Sequence, residues 1–310
     1  LEAGAVPTLL PGGSAVADAD ARAEWESAWG LEQGSLPAAA GRDTSAIMAA
    51  AAGGELDALV VGGVDPDDLP DPDLARKALD TAGFVLSLEM RHSAVTEHAD
   101  VVLPIAPVAE KAGSYRNWEG RERPFAAAIE GTGALPDCRV LDTLAVEMDA
   151  DLFTQTPQAA LADFTRVGSV RRGDTRTVAL GTSHVRNAAS MTPETPHNGH
   201  IVLATWHQMI DNGSLQVDEP HLAGTARPAM VLLSAATAEH HGIEPGGQAT
   251  VRTDRGSITL PAEVADLPEG VVWVPARSPV SVRAALGVGH GGTVSISPGA
   301  GAMQATGGEQ

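Results

Sequence analysis

The sequence predicts an α/β fold, a parallel doubly wound sheet followed by a small domain of short strands. Two observations carry this. From residue 44 to residue 103 helical and extended patterns alternate, the order that builds a parallel sheet wound by helices. After Pro228 the pattern changes to short apolar strands separated by turns rich in Gly, Asp and Pro.

Residues 1–45 are rich in Ala, Gly and Pro, with a helical stretch at Ala17–Trp29. Thr44–Ala52 is a helix capped by Thr44 or Ser45. Ala58–Val61 is a buried strand that runs into the turn Gly62-Gly63-Val64-Asp65-Pro66. Asp73–Ala82 is a helix stopped at Gly83, Phe84–Leu88 the next strand, and Ser93–His98 a short helix. Val101–Leu103 reads as a third buried strand, stopped by Pro104, and Leu141–Glu147 as a further helix. From about Asp149 to Pro228 the periodicity loosens; Thr175–Pro196 is polar and Ile201–Asn212 partly helical. Beyond Pro228 come a strand at Met230–Leu233 and a helix at Ala235–His241. A hairpin joins Gln248–Thr253 to Ser257–Glu263 across Asp254-Arg255-Gly256, with strands at Val271–Val274 and Thr293–Ser297. The expected division is residues 1–150, a connector at 151–227, a barrel at 228–300 and a tail at 301–310.

The chain has 310 residues, enough for about two domains. It is 43% hydrophobic but only 3% aromatic, so aliphatic side chains and Ala must fill the core. Forty acidic residues against 20 basic ones give a formal charge of −20. That balance opposes nucleic-acid binding, which needs a basic face, and docking on anionic lipid. The single cysteine, Cys138, rules out a disulfide framework and a Cys-ligated iron–sulfur cluster within this chain, since a cluster needs about four thiolates. No apolar run approaches the ~20 residues of a membrane helix. Opening on Leu1-Glu2-Ala3-Gly4, without Met, the chain reads as a fragment of a longer polypeptide.

The most informative segment is Glu97–Pro124. Ala99-Asp100-Val101-Val102-Leu103-Pro104 leads into Glu110-Lys111-Ala112-Gly113-Ser114-Tyr115-Arg116-Asn117-Trp118-Glu119-Gly120-Arg121. Polar groups crowded past the carboxyl end of a parallel strand stand where open α/β sheets place ligands. This segment resembles the signature of the molybdopterin oxidoreductase superfamily. The Asn-Trp-Glu-Gly-Arg wording is similar to one branch of it, the large peripheral-arm subunit of bacterial NADH-quinone oxidoreductase (complex I). Residues 228–300 resemble the six-stranded double-psi β-barrel of the same superfamily, carried by the run His240-His241-Gly242-Ile243-Glu244-Pro245-Gly246-Gly247-Gln248.

The resemblance marks two loops. In catalytic members the counterpart of Gly62-Gly63-Val64-Asp65-Pro66 lies against the pterin cofactor, usually as Gly-x-Asn-Pro. Here Asp65 replaces the Asn, and a carboxylate repels a pyrophosphate; a plain strand-to-helix turn is the other reading of these residues. Glu110, Lys111, Asn117, Glu119 and Arg121 form either a cofactor-facing cluster or a buried network in which Lys111 and Arg121 neutralise Glu110 and Glu119.

Other patterns lead nowhere. His240 and His241 are adjacent and cannot chelate together, His197 and His200 flank a loop, and His92 and His98 lack a matching set, so no metal site is expected. Gly287-Val288-Gly289-His290-Gly291-Gly292 spells a dinucleotide motif but precedes a strand, where the motif needs a helix. The only lysines are Lys77 and Lys111, so there is no P-loop, and Thr182-Ser183-His184 is not a nucleophile elbow. Cys138 reads as a buried structural thiol.

The resemblance therefore implies a scaffold portion of the complex I peripheral arm with no catalytic residue and no cofactor in this fragment. It implies [2Fe-2S] and [4Fe-4S] clusters elsewhere in the parent subunit, other peripheral-arm subunits as partners, and a place at the cytoplasmic face of the cell membrane without direct membrane insertion. The alternative is the cofactor-binding portion of a catalytic molybdoenzyme, formate dehydrogenase-like.

Overall fold

The computed structural model describes residues 6–117, 119, 121–166 and 201–299. The expectations for Thr175–Pro196, Thr182-Ser183-His184, His197, His200, Trp118, Gly120 and the tail at 301–310 fall outside those residues. The chain divides into two compact units, Leu1–Val64 with Arg76–Val185, and Asp65–Ala75 with Arg186–Gln310.

The first unit opens with α1 (Ala19–Trp29). Asp18 caps it, its carboxylate accepting from the Asp20 and Ala21 N–H groups, and Gly30 closes it in the left-handed region. Trp25 is buried against Leu10, Val16 and Ala21. Helix α2 (Thr44–Ala52) is capped by Asp43, which accepts from the Ala46 N–H at 2.8 Å. The expected caps Thr44 and Ser45 are thus already inside the helix, because Asp43, just before them, is a cap at least as good and starts the helix earlier.

Strand β1 (Ala58–Gly62), helix α3 (Pro72–Thr81) and strand β2 (Phe84–Glu89) follow. Ala75, Ala78 and Leu79 bury one stripe of α3, at the spacing one helix face requires. Strand β3 (Val101–Pro104) completes a parallel sheet of order β1-β2-β3, with Val60 opposite Leu86 and Leu86 opposite Val101. Central β2 is buried from Val85 to Glu89. The expectation of a buried third strand is corrected: β3 is an edge strand whose Val101 and Val102 are exposed, and it runs through Pro104, which an edge tolerates. Ser93–His98 is not a helix but a turn. Ser93 and Thr96 satisfy each other's backbone groups there, and after one i to i−4 bond, from the Glu97 N–H to the Ser93 carbonyl, the next bonds shorten to i to i−3 at His98 and Ala99.

Strands β4 (Gly113–Arg116) and β5 (Glu122–Phe125) make an antiparallel hairpin where the sequence suggests only a polar loop. Helices α4 (Asp137–Glu147) and α5 (Pro157–Arg166) end the described part of this unit.

The second unit holds strands β6 (Ile201–Ala204), β7 (Val231–Leu233), β8 (Gln248–Arg252), β9 (Ser257–Val264), β10 (Val271–Trp273) and β11 (Thr293–Pro298). They close into a barrel in the order β10-β6-β11-β8-β9-β7. The β6–β10 and β7–β9 pairs are parallel and the others antiparallel. Alternate residues point inward, among them Leu203, Val231, Leu233, Ala249, Val251, Leu260, Val272 and Val294, and form one aliphatic core. The described part of this unit also holds three helices, α6 (Pro220–Ala223), which is exposed, α7 (Ala235–His241) and α8 (Val282–Leu286). Two expectations are corrected here. Ile201–Ala204 is a strand, not helix, because its β-branched residues alternate inward and outward. Since that strand is part of the barrel, the barrel includes residues that the sequence assigned to the connector.

Candidate functional site

The loop after β1 separates into two parts of different character. Gly62 ends the strand opposite Leu88; a Cβ there would sit 3.7 Å from the Leu88 Cβ, an ordinary contact. Gly63 has φ 60°, which L side chains seldom adopt, and its N–H donates to the Leu88 carbonyl at 3.3 Å. Asp65 then caps a single 3-10 turn, Pro66–Asp68, accepting from the Asp67 N–H at 3.0 Å, with Pro66 buried at its first position.

The segment Asp65–Ala75 belongs with the barrel, and barrel residues grip it at three points. Arg277 bonds Asp65 through one nitrogen and Asp68 Oδ1 through the other at 2.6 Å. Ser281 donates its hydroxyl to the Asp67 carbonyl at 3.0 Å, and Arg255 pairs with Asp73. The Arg277 side chain is only 9% exposed, which makes its two carboxylate partners an electrostatic requirement. Its own backbone is fixed in turn: the Asn212 N–H donates to the Arg277 carbonyl at 3.0 Å, and the Asn212 side chain to the Pro279 carbonyl at 2.8 Å.

A cleft of about 210 Å³ lies beside this cluster, lined by Asp67, Asp68, Trp206, His207, Arg283 and His290 among others. His207 bonds Asp211 at 2.6 Å through Nδ1. His290 accepts the Thr205 N–H on Nδ1 at 3.2 Å, which leaves Nε2 to carry any proton of the neutral ring. The sequence singles out none of these barrel residues except His290, and that only inside a glycine pattern that fails on context. The pattern is structural: Gly287 caps α8 at φ 66°, and a Cβ there would strike the Arg255 side chain.

The second loop marked in the sequence is the tip of the β4–β5 hairpin. The Asn117 side-chain oxygen accepts from the Glu119 N–H at 3.0 Å and from the Arg121 N–H at 2.8 Å, and the Asn117 N–H donates to the Arg121 carbonyl at 3.0 Å. Asn117 thus closes the turn, as Asn side chains do by replacing a backbone acceptor. Arg121 pairs with Glu119 at 3.1 Å. The expected four-residue buried network does not form. Lys111 pairs instead with Asp137, in the first turn of α4, and the Glu119–Arg121 pair stands in solvent. Glu110 ends a separate 3-10 turn, Val108–Glu110. Thus the structure joins Asn117, Glu119 and Arg121, places Lys111 in another pair, and sets Asp65 and Pro66 in the barrel unit.

Among the described residues no group of three or more His, Cys, Asp or Glu is placed to hold a metal ion. The His240 and His241 rings stand edge to face, and burial first, then the neighbouring His240, pushes the His241 pKa down. Burial pushes the thiol of half-buried Cys138 up, away from the range of a reactive thiolate.

Residues 15–142 match the molybdopterin oxidoreductase family, and residues 198–296 the molydopterin dinucleotide binding domain. The chain is 48% identical over 308 residues to the G subunit of NADH-quinone oxidoreductase from Mycobacterium tuberculosis, covering 96% of this chain and 36% of that protein. To its counterpart in Streptomyces coelicolor it is 44% identical over 307 residues, with shares of 96% and 35%. It thus spans about a third of the length of these relatives. Among solved structures, acetylene hydratase from Pelobacter acetylenicus shares the fold at a TM-score of 0.50 and 16% identity, over 89% of this chain and 44% of the other. With both domain families in sequence order, the chain belongs to the molybdopterin oxidoreductase superfamily, and over 96% of its length it is similar to part of the G subunit of NADH-quinone oxidoreductase.

Proposed function

We propose that this stretch is a scaffold of the complex I peripheral arm, a molybdoenzyme-derived body that packs against neighbouring subunits and performs no chemistry of its own. Iron–sulfur clusters in the rest of the subunit would carry electrons from NADH toward quinone, and the assembly would sit at the cytoplasmic face of the membrane. No helix among the described residues is long and apolar enough to cross a membrane. The division proposed is an α/β part through about residue 150, a connector, and a barrel that takes in β6.

One observation carries the reading: the donor set at Asp65–Asp68 does not fit a pterin dinucleotide. A pyrophosphate requires free N–H groups and cations. Pro66 has no N–H, the Asp67 N–H is taken by the Asp65 carboxylate, and the Asp68 N–H by the Asp65 carbonyl. Arg277 is committed to Asp65 and Asp68. An incoming phosphate would have to displace two carboxylates from a buried guanidinium. The pterin-loop candidates Gly62, Gly63, Asp65, Pro66, Glu110, Lys111, Asn117, Glu119 and Arg121 are accordingly proposed as structural residues.

The test is elemental analysis of the full natural subunit, isolated from its source. Iron without molybdenum or tungsten supports the scaffold reading. Molybdenum or tungsten at about one atom per chain would overturn it in favour of the catalytic molybdoenzyme.

A further inference from the structure

Apolar side chains gather in solvent at the end of α4 and in the loop behind it. Met148 is 72% exposed and Phe153 76%; Leu141, Val146 and Leu152 are exposed as well. Leu141 and Met148 are seven residues apart, two helical turns, and share one stripe. The loop does not fold back over that stripe, because α4 itself pins it. Asp142, 1% exposed, accepts from the Thr154 N–H at 2.7 Å and from its hydroxyl at 3.2 Å. The Phe153 N–H donates to Asp151 Oδ1 at 2.9 Å. Between these anchors Phe153 holds φ 54°, a conformation unusual for so bulky a residue.

Charge says what fits there. Between Arg139 and Arg166 the sequence has no Lys, Arg or His, while exposed Glu147, Asp149 and Asp151 interleave in sequence with the apolar residues. An apolar centre inside a charged rim is the anatomy of a protein interface, and Phe and Met are enriched at interface cores. A second copy would meet the same carboxylates, and an anionic bilayer would be repelled by them.

We propose that Met148, Leu152 and Phe153, with Leu141, form a docking surface for a partner polypeptide that offers an apolar socket framed by Lys or Arg. The proposal rests on the complex I reading only for where the partner is sought, among the subunits that co-purify.

The test places benzoylphenylalanine at position 153 of the full subunit in its source cell, with irradiation of the purified NADH-oxidising assembly. Support is a cross-link to a different subunit within a Lys- or Arg-containing peptide. A Met148→Ser/Phe153→Ser variant should also lose that subunit about tenfold or more on a salt wash. A cross-link to the chain itself, to a second copy or to lipid, or no cross-link, would overturn the docking surface alone. Absence of the whole subunit from the NADH-oxidising assembly would overturn the complex I reading together with it.

Discussion

Arg277 meets Asp65 across 212 residues of sequence. With its other terminal nitrogen it bonds Asp68, so one planar guanidinium spans two carboxylates of the same 3-10 turn.

Breaking that fork should weaken the barrel unit. Arg277→Ala is expected to cost about 2–4 kcal/mol, below the top of the range for buried pairs because both carboxylates are partly wet. Arg277→Lys should recover less than half, since a point charge cannot bridge both partners. Asp68→Asn, at the more exposed partner, should cost under about 1 kcal/mol. Urea unfolding followed by Trp fluorescence measures all three; equal midpoints would show that the grip contributes nothing.

The two glycines after β1 should behave differently. Gly63→Ala is expected to cost about 1–2 kcal/mol from backbone strain alone, because nothing lies within 4 Å of its Cβ position. Gly62→Ala meets only an ordinary contact with Leu88 and should be neutral within about 0.5 kcal/mol. Thermal melts of both variants decide this; matching losses would mean that Gly62 is kept for another reason.

In the hairpin, a Cβ on Gly113 would fall 2.7 Å from the Phe125 ring, which also stacks on Tyr115 at 4.9 Å. Gly113→Ala should therefore cost about 1–3 kcal/mol by overpacking, and much less in a Phe125→Ala background. A double-mutant cycle reads the coupling, and additive losses would refute the contact.

Glu26 supplies a pH dependence. Its carboxylate accepts from the Gly34 N–H at 2.9 Å and the Leu36 N–H at 3.0 Å, and these hold its pKa below the usual Glu value. A depressed carboxylate stabilises the fold fully above its unfolded pKa of about 4.3 and loses that contribution as pH falls through the folded value. Wild type should exceed Glu26→Gln in stability at pH 7, and the gap should close in acid. A gap that persists at pH 2 would place the effect in packing.

What the sequence disclosed follows physical range. Helices α1 and α3, all three strands of the parallel sheet and the β8–β9 hairpin are legible because their periods and stop signals are local. The Asn117–Arg121 motif is legible too, and the structure adds that Asn117 closes the turn between β4 and β5. The sequence points Lys111 to the wrong acid because Asp137 lies 26 residues away. Arg277 escapes sequence reasoning altogether. Nothing beside it in sequence sets it apart from the other arginines, and its importance comes from burial and from partners more than two hundred residues earlier.

The grip on Asp65–Ala75 also sets an order of events during synthesis. At ~5–20 residues per second, Asp65 emerges from the ribosome roughly 10–40 s before Arg277 exists. Through that interval Asp65 and Asp68 lack the Arg277 guanidinium that bridges them, and the barrel lacks its last strand until β11 follows at Thr293–Pro298. The second unit must therefore complete itself only after β11 has been translated, with an early segment waiting for a late one.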